Sequence, residues 1–143
     1  MKQKTMLPAL LLAASIAVTA QAGLPRTPSP ADASVAIVSP QDGDVVASPV
    51  KVVFLINGMT LAPAGDARPD SGHHHLLIDA PVPTDLDKPL PADGQHLHFG
   101  KAQTETEVTL APGQHTLQLI LGDANHIPHE PPVISKQITI TVR

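Results

Sequence analysis

The chain has 143 residues, of which 13 are acidic, 9 are basic, 8 are histidine and none is cysteine. A net charge of −4 at pH 7 without a basic patch argues against nucleic acid or an anionic lipid surface as a partner. The absence of cysteine excludes disulfides and thiolate metal sites, so the core itself must stabilise the fold.

The first residues have the pattern of a secretory signal peptide. Lys2 and Lys4 precede an apolar run, residues 6–20, and the small-x-small sequence AQA ends at Ala22. We predict that residues 1–22 are removed by cleavage after Ala22. The alternative is an uncleaved membrane anchor, but the run is shorter than the roughly 20 residues that a spanning helix needs. We therefore expect a protein of the periplasm or the exterior that is not inserted in a membrane after cleavage.

The rest of the chain has the pattern of an all-β domain. Residues 23–34 contain three prolines and are predicted to form a flexible leader. Beyond them, short β-type runs are divided by Pro, Gly and Asp, and no stretch has a helical period. Seven strands in one small domain predict an immunoglobulin-like antiparallel β-sandwich over residues 35–143. The predicted strands are residues 35–38, 50–56, 74–79, 96–99, 104–110, 115–121 and 133–142.

Two longer connections divide these strands. Residues 58–72 and 80–95 are rich in Pro, Ala, Gly and Asp. Connections of this length in a small domain are usually functional or mobile, so we expect one or the other here.

The histidines are the main clue to function, because all eight lie between His73 and His129. Neutral imidazole is the commonest metal ligand in proteins, so the chain is predicted to bind a transition metal, copper or zinc. Side chains alternate along a strand, so burying Leu76 and Leu97 turns two i, i+2 histidine pairs to the outer face. A histidine in the following loop can join them. The predicted, outward-facing ligands are His73, His75, His96, His98 and His126.

Other residues have a supporting or alternative role. His74 and His115 face the core, where a histidine is more often hydrogen-bonded to a carbonyl than bound to metal. His129 reads as a solvated loop residue, and Asp123 is a candidate to orient an imidazole of the site. Met59 is either a thioether ligand, which would favour Cu(I), or a packing residue.

Several motifs together resemble a known family. They are residues 72–79 (GHHHLLID), 96–100 (HLHFG), 103–105 (QTE), 115–119 (HTLQL) and 126–129 (HIPH), with Gly113, Gly122 and Asp123. In their order and spacing they resemble the DUF4399 domains, small exported bacterial domains of unknown function, over residues 35–142. The resemblance implies an exported β-sandwich whose defining residues are the histidine clusters, with no assigned activity. Such domains usually carry glycine in place of Ala102, and alanine there argues against a turn that needs a positive φ.

Two functions of different classes remain. The first is a periplasmic copper- or zinc-binding protein of storage, delivery or resistance, whose affinity should fall as pH drops through an ordinary histidine pKa of ~6.5. The second is a recognition or structural module of the cell envelope, in which the histidine face contacts a protein or glycan. An enzyme comes third: Glu105 and Glu107 are available as general bases, but the sequence contains no evident nucleophile–base pair.

Overall fold

The computed structural model describes residues 23–143, where it contains nine β-strands and no helix. The predicted signal peptide, residues 1–22, lies outside the described residues. Within residues 23–143 there is accordingly no helix with the length and apolar character needed to cross a bilayer. The strands are β1 (Ser34–Ser39), β2 (Val45–Val46), β3 (Val50–Asn57), β4 (Thr60–Leu61), β5 (Ser71–Ile78), β6 (His96–His98), β7 (Glu105–Val108), β8 (Gly113–Gly122) and β9 (Ile138–Val142).

The strands form two sheets in immunoglobulin-like order. One sheet has the order β1-β3-β7; the other has the order β2-β9-β8-β5, with β4 and β6 pairing β5 at different positions. The longer strands pair antiparallel, whereas the two-residue strands β2 and β4 pair parallel with β9 and β5. This arrangement corresponds to strands A, B and E against strands C, F and G of an immunoglobulin sandwich. The predicted fold class is therefore confirmed; the two extra strands are too short to have a sequence pattern.

The main core lies between the two sheets and is almost entirely aliphatic. Val52 and Phe54 of β3 face Leu76 of β5 and Leu117 and Leu119 of β8, and all five are buried. The chain has only two phenylalanines and neither Tyr nor Trp, so branched side chains fill this space. The period of two in β5 and β8 thus directs alternate residues into the sandwich, as the sequence predicts.

A second, smaller core covers the outer face of β5 and β8. Leu77 of β5 and Ile120 of β8 pack with Leu90, which belongs to the long connection of residues 80–95. This connection, expected to be functional or mobile, is therefore a structural cover over the sheet. Every residue of β5 is buried, on both faces.

Residues 26–29, expected to be part of a flexible leader, are instead tied to the loop that follows β8. The amide of Glu130 donates to the carbonyl of Thr27 (2.9 Å), and the amide of Ser29 donates to the carbonyl of Glu130 (3.1 Å). The guanidinium of Arg26 donates to the carbonyl of Pro128 (3.1 Å). We call residues 26–29 the N-terminal strap.

The turn after β6 departs from expectation at Ala102, where φ is 57°. The sequence inference that alanine argues against a positive φ at this position is wrong. The left-handed region costs a residue with a Cβ about 1–2 kcal/mol, so the surrounding structure holds Ala102 in a strained conformation.

Replacing Ala102 with glycine should therefore stabilise the domain by about 1 kcal/mol, because glycine adopts this φ without strain. Chemical denaturation measures the difference in the free energy of unfolding. The matched control is Ala92→Gly, since Ala92 is an exposed residue that does not have a positive φ. There, the extra freedom of glycine in the unfolded chain should lower stability. Equal effects of the two substitutions would contradict the strain at Ala102.

Candidate metal centre

Four imidazoles converge at the outer face of the sheet that contains β5 and β8. They belong to His73 and His75 of β5, His98 of β6 and His126 of the loop after β8, and their ligand atoms all lie within 4.8 Å of one another. Nε2 of His73 lies 3.1 Å from Nε2 of His75, from Nε2 of His98 and from Nδ1 of His126. We call these four residues the histidine cluster.

Strand alternation and register bring three of the four together. His73 and His75 are two residues apart on β5 and so share its outer face, while His74 between them points into the sandwich. β5 and β6 are antiparallel with His75 directly opposite His98, and opposed residues point to the same face. The register therefore determines which histidine of β6 joins the cluster.

The loop after β8 supplies the fourth imidazole. Oδ1 of Asp123 accepts hydrogen bonds from the amides of Asn125 (2.8 Å) and Ile127 (3.0 Å), on either side of His126. The carbonyl of His126 accepts a hydrogen bond from the amide of Leu90 (2.8 Å). These bonds hold His126 at a φ of 65°. Asp123, predicted to orient an imidazole of the site, acts on the backbone of the loop that carries His126.

Two glycines make room for the cluster. A Cβ on Gly122 would lie 2.7 Å from Nε2 of His75, and a Cβ on Gly100 would lie 2.7 Å from Nε2 of His98. Both distances are well below an ordinary van der Waals contact between carbon and nitrogen. Any larger residue at either position would push a ring nitrogen of the cluster out of place.

The four imidazoles of the cluster differ in their exposure to solvent. His73 and His75 are each 1% exposed, His126 is half-buried and His98 is exposed at the rim. Burial, reinforced by the neighbouring imidazoles, lowers the pKa of His73 to about 4 and the pKa of His75 to about 2, and it also lowers the pKa of His98. The buried pair is therefore neutral at pH 7, which is the form that binds metal.

The cluster cannot satisfy its own ring nitrogens. Nε2 of His73 is a single donor or acceptor in a neutral ring, yet three ring nitrogens surround it at 3.1 Å. Among the described residues, Nδ1 of His73 and Nδ1 of His75 also have no hydrogen-bond partner. One cation between the four nitrogens would use all their lone pairs at once. Three of the six separations among these nitrogens, those from Nε2 of His73, are 3.1 Å, close to the roughly 3.3 Å edge of a tetrahedron with metal–nitrogen bonds of about 2.0–2.1 Å. All six separations are within 4.8 Å.

Two histidines outside the cluster have carboxylate partners. His96, a predicted ligand, lies opposite Leu77, two residues before His98 at the start of β6, and its Nδ1 is 2.8 Å from Oδ1 of Asp93. The structure therefore does not bring His96 into the cluster. In His115, Nδ1 lies 2.7 Å from Oδ2 of Asp79 and Nε2 lies 2.8 Å from the carbonyl of Ala111. The hydrogen bond with Asp79, followed by that with Ala111, raises the pKa of His115.

The remaining candidates lie away from the cluster's ring nitrogens. His129, expected in solvent, is fully buried, and its Nε2 donates to the carbonyl of Ser71 (3.0 Å). Met59 packs against the main core, on the opposite face of β5 from His73 and His75. A thioether is therefore not positioned among the four imidazoles.

His74 is buried in the main core without a hydrogen-bond partner for either ring nitrogen among the described residues. Its ring centroid lies 5.1 Å from that of Phe54, and burial lowers the pKa of His74 to about 4. The carbonyl partner that the sequence suggested for this residue is not there. An unpaired polar group in an apolar core costs about 1–3 kcal/mol.

Replacing His74 with leucine should therefore raise the free energy of unfolding at pH 7 by about 1–2 kcal/mol, because an apolar side chain removes the unpaired nitrogens from the core. Denaturation with urea measures the change. His115→Leu is the control, since both of its ring nitrogens have partners and its replacement should destabilise the domain. A loss of stability in His74→Leu would mean that the imidazole makes a needed contact.

No match is found among curated proteins or among solved structures. A family model described as a domain of unknown function, DUF4399, matches residues 52–143. This range begins within β3 and includes all eight histidines. The match covers well over half of the chain, and the protein therefore belongs to the DUF4399 family, as its histidine motifs predict.

Proposed function

We propose that this domain binds one transition-metal ion, copper or zinc, through His73, His75, His98 and His126. The observation that carries the proposal is the convergence of four ring nitrogens within 4.8 Å, two of them on buried side chains. We further propose that the protein is exported, on the basis of its N-terminal sequence, and that it stores, delivers or sequesters the ion outside the cytoplasm.

The donor set favours a divalent ion. All four candidate ligand atoms are imidazole nitrogens, and the soft sulfur of Met59 is directed to the main core. Imidazole suits zinc, copper, nickel and iron, and the order of affinities for such sites places Cu(II) above Zn(II). We therefore expect Cu(II) to bind more tightly than Zn(II), and Cu(I) to gain no advantage from sulfur.

The surroundings favour binding over catalysis. A catalytic zinc site usually has three protein ligands and an open position, whereas here four side chains converge. Glu105 and Glu107, the general bases available in the sequence, lie on β7 in the other sheet. Exposed His98 provides a rim at which an ion can enter and leave.

Titration with Cu(II) and Zn(II), combined with elemental analysis, tests the proposal on protein purified without a histidine tag. We expect one ion per chain and much weaker binding in His98→Ala. His96→Ala is a closely matched control, because it removes the same residue type from the same strand without touching the cluster. If the wild type takes up no ion, or if the two variants bind equally, the proposal is wrong. The first outcome would favour a recognition module of the cell envelope.

A further inference from the structure

The N-terminal strap and the loop after β8 form one hydrogen-bonded unit. Pro28 and Glu130 form a parallel β-bridge, which the backbone hydrogen bonds of Thr27 and Ser29 to Glu130 flank. The guanidinium of Arg26 also contacts the carbonyl of His129 and the carboxylate of Glu130. The strap is thus fixed to the segment that carries His126.

One side chain of the strap reaches the residue that shapes this loop. The hydroxyl of Thr27 donates to Oδ2 of Asp123 over 2.7 Å. Asp123 is 3% exposed, and its other oxygen accepts the amides of Asn125 and Ile127. Because those two amides flank His126, a rotation of the Asp123 carboxylate would remove two of the hydrogen bonds that hold the loop on either side of His126.

His126 needs this support more than the other three cluster residues. His73, His75 and His98 are held by the hydrogen-bonded ladders of β5 and β6, whereas His126 lies in a loop at a φ of 65°. The left-handed region costs a histidine about 1–2 kcal/mol, and the contacts of the surrounding structure must offset this cost. A loop that is already ordered also avoids the entropy loss that ordering on ion binding would require.

We propose that the N-terminal strap preorganises the metal site, with Thr27 as the positioning residue that holds His126 in place through Asp123. This inference rests on the proposed function. Thr27 touches no cluster nitrogen; it acts on the ion only through the loop. Residues 26–29 are accordingly part of the site, although the sequence marks them only as a proline-rich leader.

Cu(II) binding by Thr27→Val tests the proposal, since valine keeps the shape of threonine and removes only the hydroxyl. We expect roughly tenfold weaker binding, the loss typical of removing a group that orients a metal ligand. The electron paramagnetic resonance spectrum of bound Cu(II) should shift toward that of His126→Asn, a variant that removes the imidazole but tolerates the positive φ. Thr27→Ser should restore both the affinity and the spectrum.

Thr139→Val is the control, because Thr139 is an exposed threonine that pairs with Thr116, at the end of β8 remote from this loop. It should leave Cu(II) binding unchanged. In the metal-free protein, amide hydrogen exchange at Asn125 and Ile127 should be faster in Thr27→Val than in the wild type. Wild-type affinity and spectrum in Thr27→Val, or unchanged exchange at both amides, would overturn the proposal. Failure of the wild type to bind Cu(II) would instead overturn the proposed function on which it rests.

Discussion

Cu(II) at a hundredfold excess over its Kd should raise the free energy of unfolding of the wild-type domain by about 2.7 kcal/mol, because an ion that binds only the folded state stabilises it by RT ln(1 + [L]/Kd). For a domain of this size the melting temperature should rise on the order of 10 °C. Thermal denaturation with and without the ion measures the shift. Zn(II) at the same concentration should give a smaller shift, since imidazole sites bind it less tightly.

His98→Ala should abolish most of this gain while leaving the metal-free stability nearly unchanged, because His98 is exposed at the rim of the cluster. His96→Ala should retain the full gain. His73 is unsuited to the same test: although the sequence predicts that it faces outward, it is 1% exposed, so its truncation leaves a cavity as well as removing a ligand. A metal-induced shift that survives in His98→Ala would place the ion elsewhere.

The metal-free domain should lose stability steeply as pH falls from about 6.5 toward 4. The pKa values of His73, His74 and His75 in the folded state are about 4, 4 and 2, whereas histidine in an unfolded chain has a pKa of about 6.5. The unfolded chain therefore binds up to three protons that the folded state does not, and the free energy of unfolding should fall by up to about 4 kcal/mol per pH unit. Relative to pH 7, the three groups lower the free energy of unfolding by about 6 kcal/mol at pH 5 and by about 9 kcal/mol at pH 4. Since domains are stable by about 5–15 kcal/mol, a metal-free protein in the lower half of that range should unfold between pH 5 and pH 4.

Denaturant titrations in chelator between pH 7.5 and pH 4 measure this slope. His74→Leu should reduce it by about one third, because it removes one of the three groups. The contribution of His115 to stability depends on pH in the opposite direction, because its pKa is raised in the folded state. Its stabilisation is fully present below the pKa of the unfolded chain and is lost as pH rises through the pKa of the folded state. His115→Ala should therefore leave the acid transition in place. A stability profile that is flat over this range would show that the buried imidazoles are not held neutral.

The same pKa shifts alter the expected pH dependence of metal binding. Ordinary histidines would lose the ion near a pH of about 6.5. In the cluster, burial lowers the pKa of His73, His75 and His98, so at these three ligands protons compete with the ion only at lower pH. While the fold survives, Cu(II) affinity should fall less between pH 7 and pH 6 than it would at a site of four ordinary histidines.

The sequence by itself determined the features that depend on local pattern. Short β-type runs divided by Pro, Gly and Asp identified the seven longer strands. Alternation with a period of two separated His74 from His73 and His75, because successive side chains on any strand point to opposite faces. The order and spacing of the histidine motifs also identified the family. Each of these signals is contained within a few neighbouring residues or in the order of the motifs.

Only the tertiary structure decided which histidines meet and how deeply they are buried. The antiparallel register places His98 rather than His96 opposite His75, and register depends on pairing between distant segments. The connection of residues 80–95 covers Leu77 and Ile120 on the outer face of the sheet through Leu90. On the same face His73 and His75 are each 1% exposed, although the sequence predicts only that they face outward. The strap reaches the loop of His126 across almost one hundred residues of sequence. Contacts between residues so far apart leave no periodic signal along the chain, so local pattern could not reveal them.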